Sequence, residues 1–210
     1  MFFSSRKNSG NAAPDAEFKS GLRYFKGEGI EKDEQKARAC FRNAAEKGHA
    51  GAQYYYGLMF AGEDDSEAAK WYEKSALQGH PKAQCALANL YRWGFGIPID
   101  YSKAFEWYAA AANQGSEHGQ YGLAELFEHG IGTRVNLTEA VRWTRKAAEQ
   151  GFAKAQYDLG VFYFKGEGLP MDWNEARRWI LLAMQQGCGG SHVNFEFNLE
   201  MLEALDLRFV

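Results

Sequence analysis

The stretch Ala155-Gln156-Tyr157-Asp158-Leu159-Gly160 returns in altered form at four earlier points of the chain, and the spacing of its copies decides the fold. Starts at Ala16, Ala52, Ala83, Gly119, Ala155 and Ser191 lie 36, 31, 36, 36 and 36 residues apart. A unit of that length repeated along a chain is one supersecondary element that stacks on its neighbours to bury a shared core, so the spacing predicts a helical solenoid.

Outward from that stretch the pattern continues. Five residues after each start the side chain is small (Gly21, Gly57, Ala88, Ala124, Gly160), and three residues later it is aromatic (Tyr24, Phe60, Tyr91, Phe127, Tyr163). Residues three apart share a helix face, which predicts a helix A with a point of close approach and a wedge one turn later. Paired glycines close helix A: Gly27 and Gly29, Gly94 and Gly96, Gly130 and Gly132, Gly166 and Gly168. Helix B opens at Asp33, Asp64, Asp100, Asn136 and Asp172, whose side chains accept from first-turn N–H groups, and Glu67, Glu139 and Glu175 three residues on read as capping boxes. Within helix B a small residue (Ala37, Ala68, Ala104, Ala140, Ala176) is followed three later by Trp71, Trp107, Trp143 and Trp179, which the periodicity assigns to the core. A pair of small residues and then Gly48, Gly79, Gly115, Gly151 or Gly187 ends helix B, so each unit is an αα-hairpin.

These strings, the Gly-x-Gly turn, the helix B tryptophan and the Ala-Ala before glycine resemble the Sel-one-like repeat family, a relative of the tetratricopeptide repeat with a somewhat longer unit. The resemblance covers residues 16–190 and implies an all-α fold, a right-handed α/α superhelical solenoid of five helix-turn-helix repeats. Two departures stand out. Cys40 occupies the tryptophan position of the first repeat, and the second repeat lacks five residues of its A-to-B turn and keeps only Gly62 of the glycine pair.

The solenoid is expected over residues 15–190, between two different ends. Residues 1–14, rich in Ser, Asn and Gly, are expected to be a disordered arm. Val193, Phe195, Leu199, Leu202 and Leu205 follow helical spacing, so residues 191–210 are expected to supply a capping helix over the last apolar face and a tail, Leu207-Arg208-Phe209-Val210, that is a candidate for docking on a neighbouring molecule. An uncovered terminal face would also permit a homodimer.

At 210 residues and 46% hydrophobic the chain can bury a continuous core, and no apolar stretch approaches the roughly 20 residues a bilayer requires. Met1-Phe2-Phe3-Ser4-Ser5-Arg6 contains no apolar signal core, so a cytoplasmic location is expected. A net charge of −3 and a pI of about 6.0 supply no basic field for nucleic acid or anionic lipid. Cys40, Cys85 and Cys188 sit at three different places in the repeat, and an odd, aperiodic set reads as buried free thiols.

No catalytic constellation emerges. His49, His80, His118, His129 and His192 form no His-x-x-Glu-His and no paired Cys/His spacing, so neither a metal nor a cofactor is expected. His49 and His80 share one place in the repeat, just after the helix B glycine, which points to a structural role in the turn. Lys26-Gly27-Glu28-Gly29 and Lys165-Gly166-Glu167-Gly168 lack the Gly-Lys-Ser/Thr ending of a phosphate loop and read as helix-ending turns.

The surface is more informative. By analogy with tetratricopeptide repeats, helix A lines the concave side, with exposed positions two, six, nine and ten residues after each start. Position two reads Phe18, Tyr54, Cys85, Tyr121, Tyr157, and positions nine and ten give Phe25-Lys26, Arg92-Trp93, Glu128-His129 and Phe164-Lys165. Aromatic and Arg side chains are typical of binding hot spots, so Tyr54, Arg92, Trp93, Tyr121, Glu128, His129, Tyr157, Phe164 and Lys165 are the candidate partner-binding residues. The position-two rings have a competing role, packing between adjacent A helices. Trp93 has no counterpart in the other repeats.

The resemblance implies an adaptor or scaffold that binds a protein or peptide in the groove. The alternative is an immunity protein that neutralises a secreted bacterial toxin, since similar repeats serve in that role. A third reading, an enzyme akin to cysteine-rich relatives associated with β-lactams, lacks any catalytic residue to support it.

Overall fold

Among the described residues ten helices follow one another in the order the repeats dictate: α1 (Ala12–Lys26), α2 (Glu34–Glu46), α3 (Ala50–Leu58), α4 (Asp65–Leu77), α5 (Pro81–Trp93), α6 (Tyr101–Asn113), α7 (Glu117–His129), α8 (Leu137–Glu149), α9 (Ala153–Lys165) and α10 (Trp173–Gln185). The computed structural model describes residues 12–188, 201 and 203–205, and among these there is no strand. Contacts group the chain into two units, residues 1–100 and 101–210. The first holds the hairpins α1–α2 and α3–α4 followed by α5, and the second holds α6 followed by the hairpins α7–α8 and α9–α10. This is an all-α, solenoid-type architecture. The expected arm begins outside the described residues, but residues 12–14 already belong to α1 and Pro14 is buried.

Each hairpin is closed by a recurrent tie. The N–H of the residue that opens helix B donates to the carbonyl of the helix A aromatic: Asp33 to Tyr24, Asp64 to Phe60, Asp100 to Tyr91, Asn136 to Phe127 and Asp172 to Tyr163, at 2.8 to 3.0 Å. The side chains of Asp33, Asp64, Asn136 and Asp172 then accept from first-turn N–H groups, as helix caps do. The capping-box expectation holds only in this half. Because the opening N–H is already committed to helix A, the glutamates turn forward: Glu67 accepts from Lys70 and from Trp71 Nε1, Glu175 from Arg178 and Trp179 Nε1, and Glu139 from Arg142.

This arrangement also corrects the place of the tryptophans. Trp143 and Trp179 are buried, but Trp71 and Trp107 are only half-buried. Lys74 lies over the ring of Trp71 at 3.9 Å and Lys146 over that of Trp143 at 4.2 Å, so the indoles form a shell between core and solvent. The central core position is the next residue along helix B: Phe41, Tyr72, Tyr108, Thr144 and Ile180 are all buried. These residues, not the helix A aromatics, are the wedges opposite the small position of helix A. A Cβ on Gly21 would stand 2.7 Å from Phe41 Cδ1, one on Gly57 2.9 Å from Tyr72 Cδ1, and one on Gly160 2.5 Å from Ile180 Cγ1. Burying a side chain of this size contributes about 1.5–3 kcal/mol, and here the missing Cβ makes room for it.

Neighbouring repeats are joined by glutamines. Gln53 Nε2 donates to Ala45 O at the end of α2, while its Oε1 accepts from Gln78 Nε2 at the end of α4. Gln156 repeats both bonds, to Ala148 O and from Gln186. Buried amides are satisfied in this way, and each bridges two consecutive hairpins. At the far end Met201 and Leu205 are buried against Tyr157, Ala176, Ile180 and Ala183, with Leu205 N donating to Met201 O. Most of the expected capping helix, with Val193, Phe195, Leu199 and Leu202, lies outside the described residues, as do His192 and the Leu207–Val210 tail.

Candidate functional site

In the first unit the position-two rings are packing elements. Phe18 lies 4.4 Å, centroid to centroid, from His49, and Tyr54 lies 5.2 Å from His80 in a stacked pair. Both histidines open the next helix A: His49 Nδ1 accepts from Ala52 N at 3.0 Å and His80 Nδ1 from Ala83 N at 3.3 Å. Their structural role is therefore to cap one helix and floor the ring of the preceding repeat. Burial holds the His80 imidazole below its ordinary pKa, in the neutral form that can accept, and pushes the Tyr54 phenol up. Cys85, the next in the column, is buried.

Arg92 and Trp93, adjacent in sequence at the end of α5, differ sharply. Arg92 is only 8% exposed and is not the open groove contact expected of it, whereas Trp93 is 54% exposed. The Arg92 guanidinium lies 4.7 Å from the centroid of the Trp93 ring, a cation–π contact that fixes the indole face. Phe95 and Ile99 are exposed in the turn that follows. The candidate residues did not include them. The signal was available, because Phe95 stands between its two glycines where the turns at Gly27 and Gly166 carry Glu28 and Glu167.

In the second unit the column divides again. Tyr157 is 5% exposed and packs beneath Met201 and Leu205, so it offers no open contact. Tyr121 is half-buried, its ring 5.1 Å from Phe152, the residue that opens α9, and its hydroxyl donates to Asp158 Oδ2 at 2.9 Å. Burial pushes the Tyr121 phenol up, and the nearby Asp158 adds to that. Asp158 was missed as a site residue. Its position reads Lys19, Tyr55, Ala86 and Gly122 in the other repeats, so an acid there breaks the column. Its carboxyl is pushed up to about 7, first by burial and then by Glu128 and Glu125, against the Tyr121 hydrogen bond and Lys154. Glu128 is likewise raised by burial, with His129 and Lys165 opposing.

His129 and Lys165 are exposed at the ends of α7 and α9. Phe164 is half-buried and stacks on Trp173, 6.0 Å between centroids and 23° between planes, and Trp173 is 51% exposed. Each unit thus presents an exposed indole at an A-to-B turn: Trp93 at the end of α5 in the first, and Trp173 at the start of α10, stacked on Phe164 of α9, in the second. Such an arrangement can bind the apolar and charged groups of another molecule. Among the described residues no group of three His, Cys, Asp or Glu side chains is placed to hold a metal ion, and no helix is long and apolar enough to cross a membrane.

Comparison with known proteins matches this architecture. A family model described as Sel1 repeat fits residues 14–49, 50–80, 81–116, 118–152 and 153–188, the same five repeats read from the spacing. Among solved structures, the chain is similar to a Sel1 repeat protein from Oxalobacter formigenes, 28% identical with a TM-score of 0.79, over 98% of this chain and 90% of that one. It shares its fold with an immunity protein from Pseudomonas aeruginosa, 21% identical with a TM-score of 0.57, over 82% of this chain and 68% of the other. A stretch of 89 residues, 42% of this chain, is 30% identical to an uncharacterised protein of Neisseria meningitidis. The matched stretch is 19% of that curated relative's length.

Proposed function

Because the chain belongs to the Sel1 repeat family, whose members are protein-interaction modules, we propose that it is a non-enzymatic, cytoplasmic adaptor that binds a protein or peptide through exposed aromatic side chains at its A-to-B turns. The observation that carries this reading is Trp93. It is a large indole left more than half exposed and braced by a buried arginine, whereas the recurrent helix B tryptophans, Trp71, Trp107, Trp143 and Trp179, are half-buried or buried. Exposed, pre-oriented aromatics are the side chains that dominate binding energy at protein interfaces, because they carry large apolar area at small entropic cost. Trp173 with Phe164 supplies a second such group, and Lys165, next to Phe164 in sequence, adds an exposed charge at the end of α9.

The test is affinity capture from cells of the source organism with wild type beside Trp93→Ala and Trp173→Ala, followed by mass spectrometry. A protein retained by wild type, lost by at least one variant, and lost while helicity and melting are preserved supports the reading. Retention by both variants overturns it. Arg92→Glu is not a clean binding variant, because it would bury a carboxylate and destabilise the fold. Toxin neutralisation is the second reading, favoured by the fold shared with the Pseudomonas aeruginosa immunity proteins. Protection of cells by the full chain against a co-encoded toxin would select it.

A further inference from the structure

One half-buried contact in the second unit is explained neither by packing nor by partner binding. Asp158 lies on α9, and its carboxylate accepts from the Tyr121 hydroxyl on α7, 37 residues away in sequence. The other repeats place Lys19, Tyr55, Ala86 or Gly122 at this position, so the stacking of repeats does not call for an acid. Its surroundings are unfavourable to charge. From α7 come Tyr121, Glu125 and Glu128, and from α9 itself Lys154 and Tyr157, with the Cys188 thiol beyond α10. α8 meets α9 through Ala140, Val141, Ala147 and Ala148, and adds Arg145, which donates to the Tyr163 hydroxyl at 3.0 Å. α10 meets α9 through Ala176, Ile180 and Ala183. One lysine therefore faces two glutamates around a carboxyl largely withdrawn from water.

We infer that the Tyr121–Asp158 contact is a proton-dependent joint between the fourth and fifth repeats. With the carboxyl protonated the repeats are held more firmly than with it ionised, and raising the pH through neutrality both loosens the joint and adds a negative charge to the face that α7 and α9 present. The physical cause is a charge formed in a poorly solvated place beside two like charges, which one phenolic hydrogen bond offsets only in part. The carboxyl titrates at about 7 in the folded chain, well above the ordinary 3.8. Folding therefore favours the protonated form. Its stabilisation is complete below the ordinary carboxylate range and is lost as the pH rises through about 7.

The test uses the full chain. Urea unfolding is followed at about pH 5 and about pH 8.5 for wild type, Asp158→Asn and Tyr121→Phe, with the Asp158 carboxyl carbon titrated by NMR. The wild-type midpoint should fall from the lower to the higher pH. Asp158→Asn, which keeps an oxygen acceptor for Tyr121, should lose most of that fall and be more resistant than wild type at the higher pH. Glu128, also raised by burial, leaves a smaller residual fall in the variant. His80, whose pKa is lowered, acts in the opposite direction in both proteins and cancels in the difference. Tyr121→Phe removes the bond that favours the ionised form, so the carboxyl should titrate higher than in wild type. Equal pH dependence in wild type and Asp158→Asn, or a carboxyl resonance titrating near the ordinary 3.8, overturns the inference. Should the Asn variant fail to fold, the wild-type titration decides alone.

Discussion

The turns of the second and fifth repeats close the same hairpin with different lengths of chain. In the second, Asp64 N donates to Phe60 O at 2.8 Å across three intervening residues, and in the fifth Asp172 N donates to Tyr163 O at 3.0 Å across eight. The tie between helices A and B therefore survives the deletion intact. The glycines differ. Gly168 has φ +73°, and a Cβ there would stand 2.5 Å from Leu137 O, at the start of the preceding helix B. Gly62, φ +84°, has nothing within 4 Å of that position. The long turn thus has two separable tasks: closing its own hairpin and lying against the backbone of the repeat before it. The short turn performs only the first at its glycine.

The largest expected effect tests that separation. Gly168→Ala should destabilise by about 3 kcal/mol, combining about 1–2 for a left-handed non-glycine residue with the cost of pushing a methyl into backbone. Gly29 has nearly the same backbone, φ +72°, but meets only Arg23 Nη2 at 3.9 Å. Gly29→Ala and Gly62→Ala should each cost only about 1 kcal/mol, the conformational part alone. Urea unfolding of the three variants checks this. Similar losses at Gly168 and Gly29 would mean that the turn yields freely and that its approach to Leu137 carries no constraint.

A smaller effect should be the same in both turns. Asp64 accepts from Glu67 N at 3.0 Å, and Asp172 accepts from Asn174 N and Glu175 N at 2.9 and 3.1 Å. Asp64→Ala and Asp172→Ala should each cost about 1 kcal/mol, the usual price of a lost cap. A loss at Asp172 several times that at Asp64 would show that turn length governs the cap, and the two tasks would no longer be independent.

What could be read from the sequence follows the same division. Hairpin closure is local, so its signs, Asp64 and Asp172 at the helix starts and the aromatics at Phe60 and Tyr163, are legible at fixed spacing. The contact of Gly168 with Leu137 joins residues 31 apart, and its glycine looks the same as Gly29, which makes no such contact. Spacing could place Trp71 on one face with Ala68 but not show that Glu67 would take its indole N–H, because that depended on the Asp64 N–H being committed elsewhere. The candidate site was affected likewise. Arg92 and Trp93 share a helix end, and only the packed structure separates a buried brace from an exposed indole. Tyr157 is lost to the site because Met201 and Leu205 return over it, a contact no repeat register contains.

The smallest effect comes from rebuilding the long turn where it is missing. Replacing residues 61–63 with the segment 164–171 restores the Gly-x-Gly turn between Phe60 and Asp64. Loop closure costs roughly 0.6 kcal/mol per doubling of length, so lengthening three residues to eight should destabilise by less than about 1 kcal/mol if the new turn merely hangs from the hairpin. Stability alone would not distinguish a hanging turn from a docked one whose contacts offset that cost. Converting the second grafted glycine to alanine does. If the graft lies against the start of α2 as Gly168 lies against the start of α8, the alanine should cost about 3 kcal/mol, and if it hangs free, about 1, as expected at Gly29. The first outcome would mean that the preceding repeat supplies the docking surface whatever the turn. The second would mean that the first two repeats pack at a spacing the long turn cannot bridge, so that the deletion accompanies a different packing of those repeats and is not a simple loss.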